Sequence, residues 1–552
     1  MTPKRLLIVG GVAGGASAAA RARRLNEACD IVVFDKGPHV SFANCGLPYF
    51  VGDVIQDESK LLVASPELFR DRFRIDVRTR HEVTAIDTDE RTIQVRDLTA
   101  DSLHTEAYDA LVLSPGARAI RPPVLGIDLP GVFVVRTIPD SRRIRAWLAD
   151  HQASRAVVVG GGFIGLEMAE NLSHRNLAIS IVESAPHVLP PLDPEMARPV
   201  EDHLRSQGVN LLLGDAIAKI EQGEDHSLVV RTRAGVELAT DLVILATGVR
   251  PETTLAKASG IALGRRGGIR VDEHMRTSVP GVWAVGDAVE IREVMTGVEA
   301  ILPLAGPANR QGRIAANDIF GHASRFRGVQ GTAVCGVFGM TVASTGVSER
   351  ALAREGISDY ERIYLHPGHH VGYFPGAKPI RIKLLFRPSD GRVLGAQAVG
   401  EEGVARRIDV ISMTIQQGGT VYDLEEAELC YAPQFGAAKD PVNLAGMIAA
   451  NVLRGHLQLA RWEELPDADV LVVDVRSAEE HAGGAIPGAI NIPLEELRGR
   501  LAELPRDREL WLYCQVGQRA YYATRLLLQR GFRVRNLPGG IQTYASFTSP
   551  AE

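Results

Sequence analysis

Cys45 is the residue of this 552-residue chain whose type and surroundings most directly suggest chemistry. It lies in the segment SFANCGLPYF (41–50), and the next cysteine along the chain is Cys335. No other thiol lies close by in sequence, but Cys45 can still take part in disulfide redox chemistry if a bound small thiol supplies the second sulfur. Pro48 suits the first turn of a helix, and we expect that helix dipole to lower the pKa of the Cys45 thiol. The alternative is a buried, inert cysteine.

Two glycine-rich turns indicate that the chain binds two nucleotides. KRLLIVGGVAGGASAAARARRL (4–25) predicts a strand, a turn and a helix, and the next strand ends in Asp35 at a distance suited to a ribose. Val12 stands where the usual pattern has its second glycine, so this turn alone is a weak signal. RAVVVGGGFIGLEMAENL (155–172) repeats the arrangement, and its following strand ends in Glu183. A carboxylate there suits the 2′-hydroxyl of NADH and repels the 2′-phosphate of NADPH, which is the alternative.

Three further segments fit a chain that holds two nucleotides. LVLSPGARA (111–119) and LVILATGVRP (242–251) each end a predicted strand with a turn of small residues. GVWAVGDAVE (281–290) places Asp287 just after a strand, where its carboxylate can hold a ribityl chain.

The order of these motifs resembles that of the flavin-dependent pyridine nucleotide–disulfide oxidoreductases over residues 1–450. The resemblance implies an α/β fold with two Rossmann-like nucleotide-binding domains, FAD at the first turn, NAD(P)H at the second, and an α+β dimerisation domain. The FAD contacts it implies are Gly10, Val12, Ala13, Gly14, Gly15, Asp35, Lys36, Asn44, Val83, Ser114, Gly116, Arg136, Asp287, Leu304 and Ala305. The NAD contacts are Gly160, Gly162, Ile164, Gly165, Glu183 and Gly248.

The sequence differs from the dithiol members of that superfamily. Cys45 has no neighbouring cysteine, and CYAPQFGAAKDPVN (430–443) contains no histidine that could serve as acid. GGVAGGASAAARARRL, SFANCGLPYF, PLAGPANRQGR and AKDPVNLAG instead resemble the single-cysteine coenzyme A-disulfide reductase group. This resemblance implies that CoA lies against Cys45, with contacts from Ser17, Arg21, Arg24, Ser41, Asn44 and Lys439.

Ser17, Arg21 and Arg24 follow one stripe of the predicted first helix, where arginine can bind phosphate in a fork geometry. The alternative is a solvated helix face. The same resemblance implies an obligate homodimer in which Tyr373 and Tyr431 of one subunit donate hydrogen bonds to a sulfur leaving the other subunit's site. The alternative for each tyrosine is an interface aromatic.

A different α/β unit follows, and residues 465–545 resemble a rhodanese domain. Cys514 comes directly after the strand LWLY and opens the loop CQVGQR, in which Arg519 is the cation. Backbone N–H groups of such a loop stabilise a thiolate or persulfide. Four residues separate Cys514 from Arg519, and the small cradle suits sulfur better than phosphate. We read Asp474 and Arg476 as structural, and a catalytically inert tail is the alternative.

The composition excludes other classes. The net charge of -6 argues against a nucleic-acid surface, and no apolar run is long enough to predict a membrane span. Five cysteines without a CxxC pair predict neither a disulfide framework nor a zinc site, so we expect a reducing cytoplasm. We interpret Cys29, Cys335 and Cys430 as packing residues and HPGHH (366–370) as a polar loop that binds no metal.

The expected domains are FAD-binding (1–118 and 251–325), NAD(P)H-binding (119–250), dimerisation (326–450), a linker (451–464) and rhodanese (465–552). Together they predict an NADH-dependent flavoprotein that reduces CoA persulfide, polysulfide or CoA disulfide and releases hydrosulfide, with Cys514 carrying sulfane sulfur. The alternatives are a plain CoA-disulfide reductase, an NADH peroxidase or oxidase that uses a sulfenic acid at Cys45, and a redox sensor or sulfur-transfer scaffold.

Overall fold

The computed structural model of the chain describes residues 3–224 and 227–548. They form two compact units, one from residues 1–186 and 208–329 and one from residues 187–207 and 330–552. The last four residues of the predicted rhodanese domain, 549–552, lie outside the described residues. No described helix is long and apolar enough to cross a bilayer.

The first unit contains two parallel five-stranded sheets. One has the strand order Val282–Ala284, Ala110–Leu113, Arg5–Val9, Asp30–Asp35, Asp76–Thr79. The other has the order Asn210–Leu213, Ala178–Glu183, Arg155–Val159, Leu242–Leu245, Val132–Val134. Apart from their first residues, Arg5 and Arg155, their central strands are buried, as expected of parallel sheets covered on both faces.

Shorter elements complete this unit. The antiparallel strands are His81–Asp87, Thr92–Asp97 and Ser102–Ala107; Ile217–Gln222, Leu228–Thr232 and Glu237–Thr240; and Ala117–Ala119 with Val249–Pro251. Ile269–Arg270, Val289–Arg292 and Glu299–Ala300 form a small mixed sheet. The helices are Ala13–Leu25, Leu47–Val51, Pro66–Phe73, Ile138–Asp150, Phe163–Ser173, Thr254–Ala258 and Ala305–Ile319.

Helices Ala13–Leu25 and Ala305–Ile319 approach each other at glycines. A Cβ atom on Gly312 would lie 2.2 Å from the carbonyl oxygen of Gly14, so only glycine permits this contact. The close approach brings the polar faces of both helices onto one surface, which is relevant to ligand binding below.

The second unit contains an antiparallel sheet and a smaller parallel one. The first has the order Ala333–Val337, Met340–Gly346, Val393–Gly400, Ile380–Phe386, Glu361–Leu365. The second has the order Ile490–Asn491, Leu471–Asp474, Leu510–Tyr513, Val534–Asn536. The helices are Pro194–Ser206, Glu349–Arg354, Val404–Gln416, Val421–Glu425, Pro441–Leu453, Ala478–Ala482, Gln518–Gln529 and Gly540–Thr548.

A buried ion-pair network explains why residues 187–207 belong to this second unit, although the sequence places them in the NAD(P)H-binding domain. Lys383 is fully buried, and its Nζ lies 2.7 Å from Asp193 and also contacts Glu195 and Glu349. Burial opposes the charge of Lys383, but the three carboxylates raise its pKa. These carboxylates resemble a metal-binding set, but the Lys383 ammonium already supplies their positive charge.

The C-terminal helix Gly540–Thr548 packs against the edge strand Glu361–Leu365. The rings of Tyr364 and Phe547 meet edge to face at 6.3 Å, and His366 Nε2 lies 2.8 Å from Thr543 Oγ1. Burial and the nearby Arg381 lower the pKa of His366 to about 3, so its ring is neutral. Within the predicted linker 451–464, Trp462 is buried and donates to the Pro538 carbonyl.

Candidate functional site

The first glycine turn is closed by Asp35. Its carboxylate accepts hydrogen bonds from the backbone N–H groups of Gly11 (2.9 Å) and Gly37 (2.8 Å). Burial raises the pKa of Asp35, whereas these backbone hydrogen bonds act in the opposite direction. Gly10 has φ +92°, and a Cβ there would lie 2.1 Å from the Ser114 carbonyl oxygen. No side chain caps the start of helix Ala13–Leu25, so its first N–H groups can bind a pyrophosphate.

Further predicted FAD contacts come from remote segments of the same unit. Arg136 Nη2 pairs with Asp287 at 3.2 Å, and Ser114 Oγ lies 2.9 Å from where a Cβ of Gly14 would be. Leu304 precedes the helix that Ala305 begins. The tight glycine backbone, the uncapped helix end and the polar pair fit a dinucleotide, and FAD would be held by these residues.

The second turn has the same design. Glu183 is buried and accepts hydrogen bonds from the N–H groups of Gly161 (2.6 Å) and Ala185 (2.7 Å). Helix Phe163–Ser173 begins at Gly162 without a side-chain cap, and the space around a Cβ of Gly162 is open. The turn therefore fits NAD, with Ile164 and Gly165 on the first turn of the helix and Gly248 in a left-handed conformation at φ +95°.

Cys45 is exposed and lies in the 3₁₀ helix Asn44–Gly46, so it is not a buried cysteine. The expected lowering of its thiol pKa is wrong. Partial desolvation and the charges of Glu167 and Asp287 raise that pKa, and Arg136 only partly opposes them. The following helix, Leu47–Val51, spans five residues and begins after Cys45, so its dipole is small.

Glu167 is a site residue that sequence reasoning missed. Burial raises the pKa of its carboxyl, which accepts a hydrogen bond from Tyr49 Oη at 3.4 Å. Glu167 and Cys45 belong to different segments, and no spacing in the sequence signals that their charges interact. The carboxyl makes the surroundings of Cys45 unfavourable for a lone thiolate.

The predicted stripe of the first helix is present, and helix Ala305–Ile319 extends it. Ser17 contacts Asn309, and Arg21 Nε donates to Asn317 at 2.8 Å. Desolvation and the charges of Arg313 and Arg24 lower the pKa of Arg21. Among the described residues, no carboxylate pairs with these three arginines, so the surface attracts anions. Arg313 was not predicted, because its proximity arises only when the two helices pack.

The other predicted CoA contacts are dispersed. Ser41 adopts a left-handed conformation at φ +47° and donates its N–H to Gly11. Asn44 begins the 3₁₀ helix of Cys45, whereas Lys439 is exposed in the second unit. Three further residues were predicted as FAD contacts: Val83 lies in strand His81–Asp87, Lys36 is exposed after Asp35, and Gly116 has φ +71°.

Tyr373 and Tyr431 meet, although 58 residues separate them: their hydroxyl oxygens lie 2.8 Å apart. Both side chains are exposed. The hydrogen bond that the two hydroxyls share, in which either can be the donor, raises the pKa of Tyr431, so this phenol keeps its proton at neutral pH. Cys430 beside them is also exposed, and our interpretation of it as a packing residue is wrong because it lies on a surface loop. Cys29 and Cys335 are buried.

We expect Tyr431→Phe to lower kcat on a CoA substrate about tenfold, and the Tyr373→Phe/Tyr431→Phe double variant about 10²-fold, because each removes a proton donor. Stopped-flow reduction of the flavin by NADH should be unchanged. Tyr422→Phe is a matched control, since Tyr422 is another exposed tyrosine of this unit. If the double variant keeps wild-type kcat, the phenols have no catalytic role.

The loop after strand Leu510–Tyr513 places Cys514 and Arg519 together. Cys514 is buried, and its Sγ accepts a hydrogen bond from the Gly517 N–H at 3.2 Å. Gly517 has φ +96° and precedes helix Gln518–Gln529. Arg519 forms a bidentate pair with Glu480, a partner that the sequence reasoning missed. The loop can stabilise an anionic sulfur through its backbone.

Asp474 and Arg476 lie beneath this loop as a buried ion pair with a 2.7 Å contact. Burial would raise the pKa of Asp474, but hydrogen bonds from Arg476 and His481 lower it. Arg476 Nη1 also reaches Gln515 of the loop at 3.4 Å. Through this contact the Asp474–Arg476 pair supports the Cys514 loop. In HPGHH, His366 bonds to Thr543 and His369 bonds to the backbone of Lys378.

Comparisons with known proteins agree with this geometry. Residues 4–312 match the pyridine nucleotide-disulphide oxidoreductase family, residues 332–440 its dimerisation domain, and residues 459–546 the rhodanese-like domain. The chain belongs to the pyridine nucleotide-disulphide oxidoreductase family and carries a rhodanese domain at its C-terminal end. The predicted mixed α/β fold, the enzyme class and its dependence on FAD and NAD(H) are thereby confirmed.

Individual proteins are similar to this chain over most of its length. The coenzyme A disulfide reductase of Staphylococcus epidermidis is 35% identical over 80% of this chain and 99% of its own length. The structure of reduced Bacillus anthracis CoADR-RHD has a TM-score of 0.96 at 44% identity, covering 99% of this chain and 98% of that one. A NAD-dependent persulfide reductase from A. fulgidus has a TM-score of 0.91 at 37% identity, covering 98% and 100%.

Proposed function

We propose that this protein is an NADH-dependent reductase of CoA persulfide, of related polysulfides and of CoA disulfide. The observation that carries the proposal is the pair of distinct sulfur sites: an exposed Cys45 and a Cys514 held in a backbone cradle. Neither Cys45 nor Cys514 forms a disulfide with another described cysteine. Similarity to reductases named for CoA disulfide and for persulfide supports the substrate class.

The reaction at Cys45 requires a second sulfur atom, which the CoA substrate supplies. The Cys45 thiolate attacks the CoA-bound sulfur of a CoA persulfide, forms a Cys45–CoA disulfide and releases hydrosulfide. Bound FAD and NADH would supply the two electrons that cleave this disulfide to the Cys45 thiolate and free CoA. Ser17, Arg21, Arg24, Ser41, Asn44 and Lys439 would hold the CoA, and Arg313 adds a cation.

The remaining residues have supporting roles. In a cytoplasmic homodimer assembled through the dimerisation domain, Tyr373 and Tyr431 of the partner subunit would donate a hydrogen bond to the departing CoA sulfur. Cys514 would receive sulfane sulfur from a donor and pass it to CoA or to Cys45, with Arg519 beside it. We also propose the domain limits given above and a preference for NADH over NADPH, which the Glu183 carboxylate would cause.

Steady-state NADH oxidation with four acceptors tests this function. We expect CoA persulfide and CoA disulfide to be reduced far faster than hydrogen peroxide or oxygen, and mass spectrometry of the purified protein should show a CoA adduct on Cys45. A water-forming NADH oxidase from Lactobacillus brevis shares 27% identity and a TM-score of 0.78, which makes the oxidase the second candidate. Turnover mainly with oxygen or peroxide would support it, and negligible turnover with every acceptor would indicate a sensor or scaffold.

A further inference from the structure

The cation of the Cys514 loop is already bound by a carboxylate. Arg519 Nη1 and Nη2 donate to Glu480 Oε2 and Oε1 at 2.7 and 2.6 Å, which is the fork geometry that arginine otherwise offers to an anionic ligand. The two side chains are 32% and 35% exposed, so a small ligand can reach the pair. An incoming oxyanion therefore competes with Glu480 for the guanidinium group.

Glu480 is fixed independently of Arg519. It lies in helix Ala478–Ala482, whose start is a capping box: the Ser477 N–H donates to Glu480 Oε2 at 3.0 Å, and the Glu480 N–H donates to Ser477 Oγ at 3.2 Å. The hydrogen bonds from Arg519 hold the pKa of Glu480 at about 2, so the carboxylate is charged at any working pH. The Glu480 carboxylate is therefore always charged and fixed in a position where it binds the Arg519 guanidinium.

The neighbouring arginine offers no free charge either. Arg476 is paired with Asp474 and donates to the Gly484 carbonyl. Around the described Cys514 loop, each of these two arginines is matched by one carboxylate. The backbone cradle can hold one anionic sulfur, on which Arg519 also acts. The charges of Arg519 and Arg476 are already matched by Glu480 and Asp474 when a donor brings a second anionic group.

On these grounds, and resting on the proposed function, we infer that Glu480 sets the donor specificity of Cys514. By holding the Arg519 guanidinium, it disfavours donors that carry a sulfonate, such as thiosulfate, and directs the site to organic persulfides and polysulfides. Glu480 acts through Arg519 and is a positioning residue.

The transfer needs no external oxidant or reductant. The Cys514 thiolate attacks the outer sulfur of a persulfide RSS⁻; the bond from Sγ to that sulfur forms, the donor S–S bond breaks, and RS⁻ leaves with the electron pair. With thiosulfate the same attack releases sulfite. The two donors differ in their leaving groups. The persulfide releases an organic thiolate, whereas thiosulfate releases sulfite, whose oxygens need a cation.

Single-turnover loading of Cys514 tests the inference. The full-length protein is loaded without NADH, and loading is measured as a mass increase of one sulfur atom on the peptide that contains Cys514. We compare thiosulfate with the persulfide of 2-mercaptoethanol, a donor without a sulfonate. Glu480→Gln removes the charge but retains a side chain that can complete the capping box. We expect it to raise the thiosulfate rate about tenfold and to change the persulfide rate less than about twofold, since a nearby negative charge repels the dianion more strongly.

Two further variants identify the cause. Glu479→Gln removes a neighbouring exposed carboxylate of the same helix and should leave both rates unchanged. In Glu480→Gln/Arg519→Gln, the gain with thiosulfate should disappear, because the freed guanidinium is gone. An unchanged thiosulfate rate in Glu480→Gln, an equal change with both donors, or an equal gain in Glu479→Gln would overturn the inference. Because loading uses neither NADH nor Cys45, a failure of the proposed reductase reaction would be seen separately, in NADH oxidation.

Discussion

Changing Cys45 to serine is expected to lower NADH-dependent reduction of CoA persulfide by at least about 10³-fold, because a hydroxyl cannot form the disulfide with CoA. Serine is nearly isosteric with cysteine, and the exposed 3₁₀ helix of Cys45 should tolerate it. In stopped-flow experiments, NADH should still reduce the flavin at the wild-type rate. The subsequent reoxidation by CoA persulfide should be lost.

Cys430→Ser is the matched control, since Cys430 is another exposed cysteine with no role in the proposed reaction. It should reduce persulfide at the wild-type rate. If Cys45→Ser also does so, the reaction at Cys45 proposed above is wrong.

Changing Cys514 to alanine is expected to abolish loading of the rhodanese domain with sulfur, a loss of at least about 10³-fold, because the thiolate is the only nucleophile of its loop. NADH oxidation with CoA disulfide should be unchanged, since that substrate needs no sulfur transfer. Polysulfide-dependent NADH oxidation should fall. The measurements are the mass of the loaded protein and NADH consumption with each acceptor.

A second variant separates loss of the thiol from damage to the loop. Thr524→Ser retains a hydroxyl at a buried position of the following helix and should leave loading intact. Should Cys514→Ala use every sulfur donor as well as the wild type does, the tail has no part in turnover.

The sequence was informative where a short segment determines its own backbone. The glycine turns and Asp35 were predicted because strand, turn and carboxylate lie within one local unit. The pKa of Cys45 was mispredicted because two of the groups that raise it, Glu167 and Asp287, come from remote segments. For the same reason the Glu480–Arg519 pair, separated by 39 residues, and the contact of Asp193 with Lys383, separated by 190, were missed.

The resemblance to a family supplied what spacing could not. Tyr373 and Tyr431 are 58 residues apart, and no periodicity connects them, yet their hydroxyls meet. Arg313 ends the quoted motif PLAGPANRQGR but was not predicted as a CoA contact, and only the close packing of two glycine-containing helices brings it beside Arg21.

The docking of helix Gly540–Thr548 has a consequence for how freely the tail can be exchanged. Strand Glu361–Leu365 is the edge of its sheet, and the helix covers it with Thr543 and Phe547. A shortened chain without the tail would expose the Tyr364 ring and leave His366 without its hydroxyl partner, uncovering an edge prone to association. Gene fusions that replace this tail with another domain would therefore have to redesign that surface at the same time.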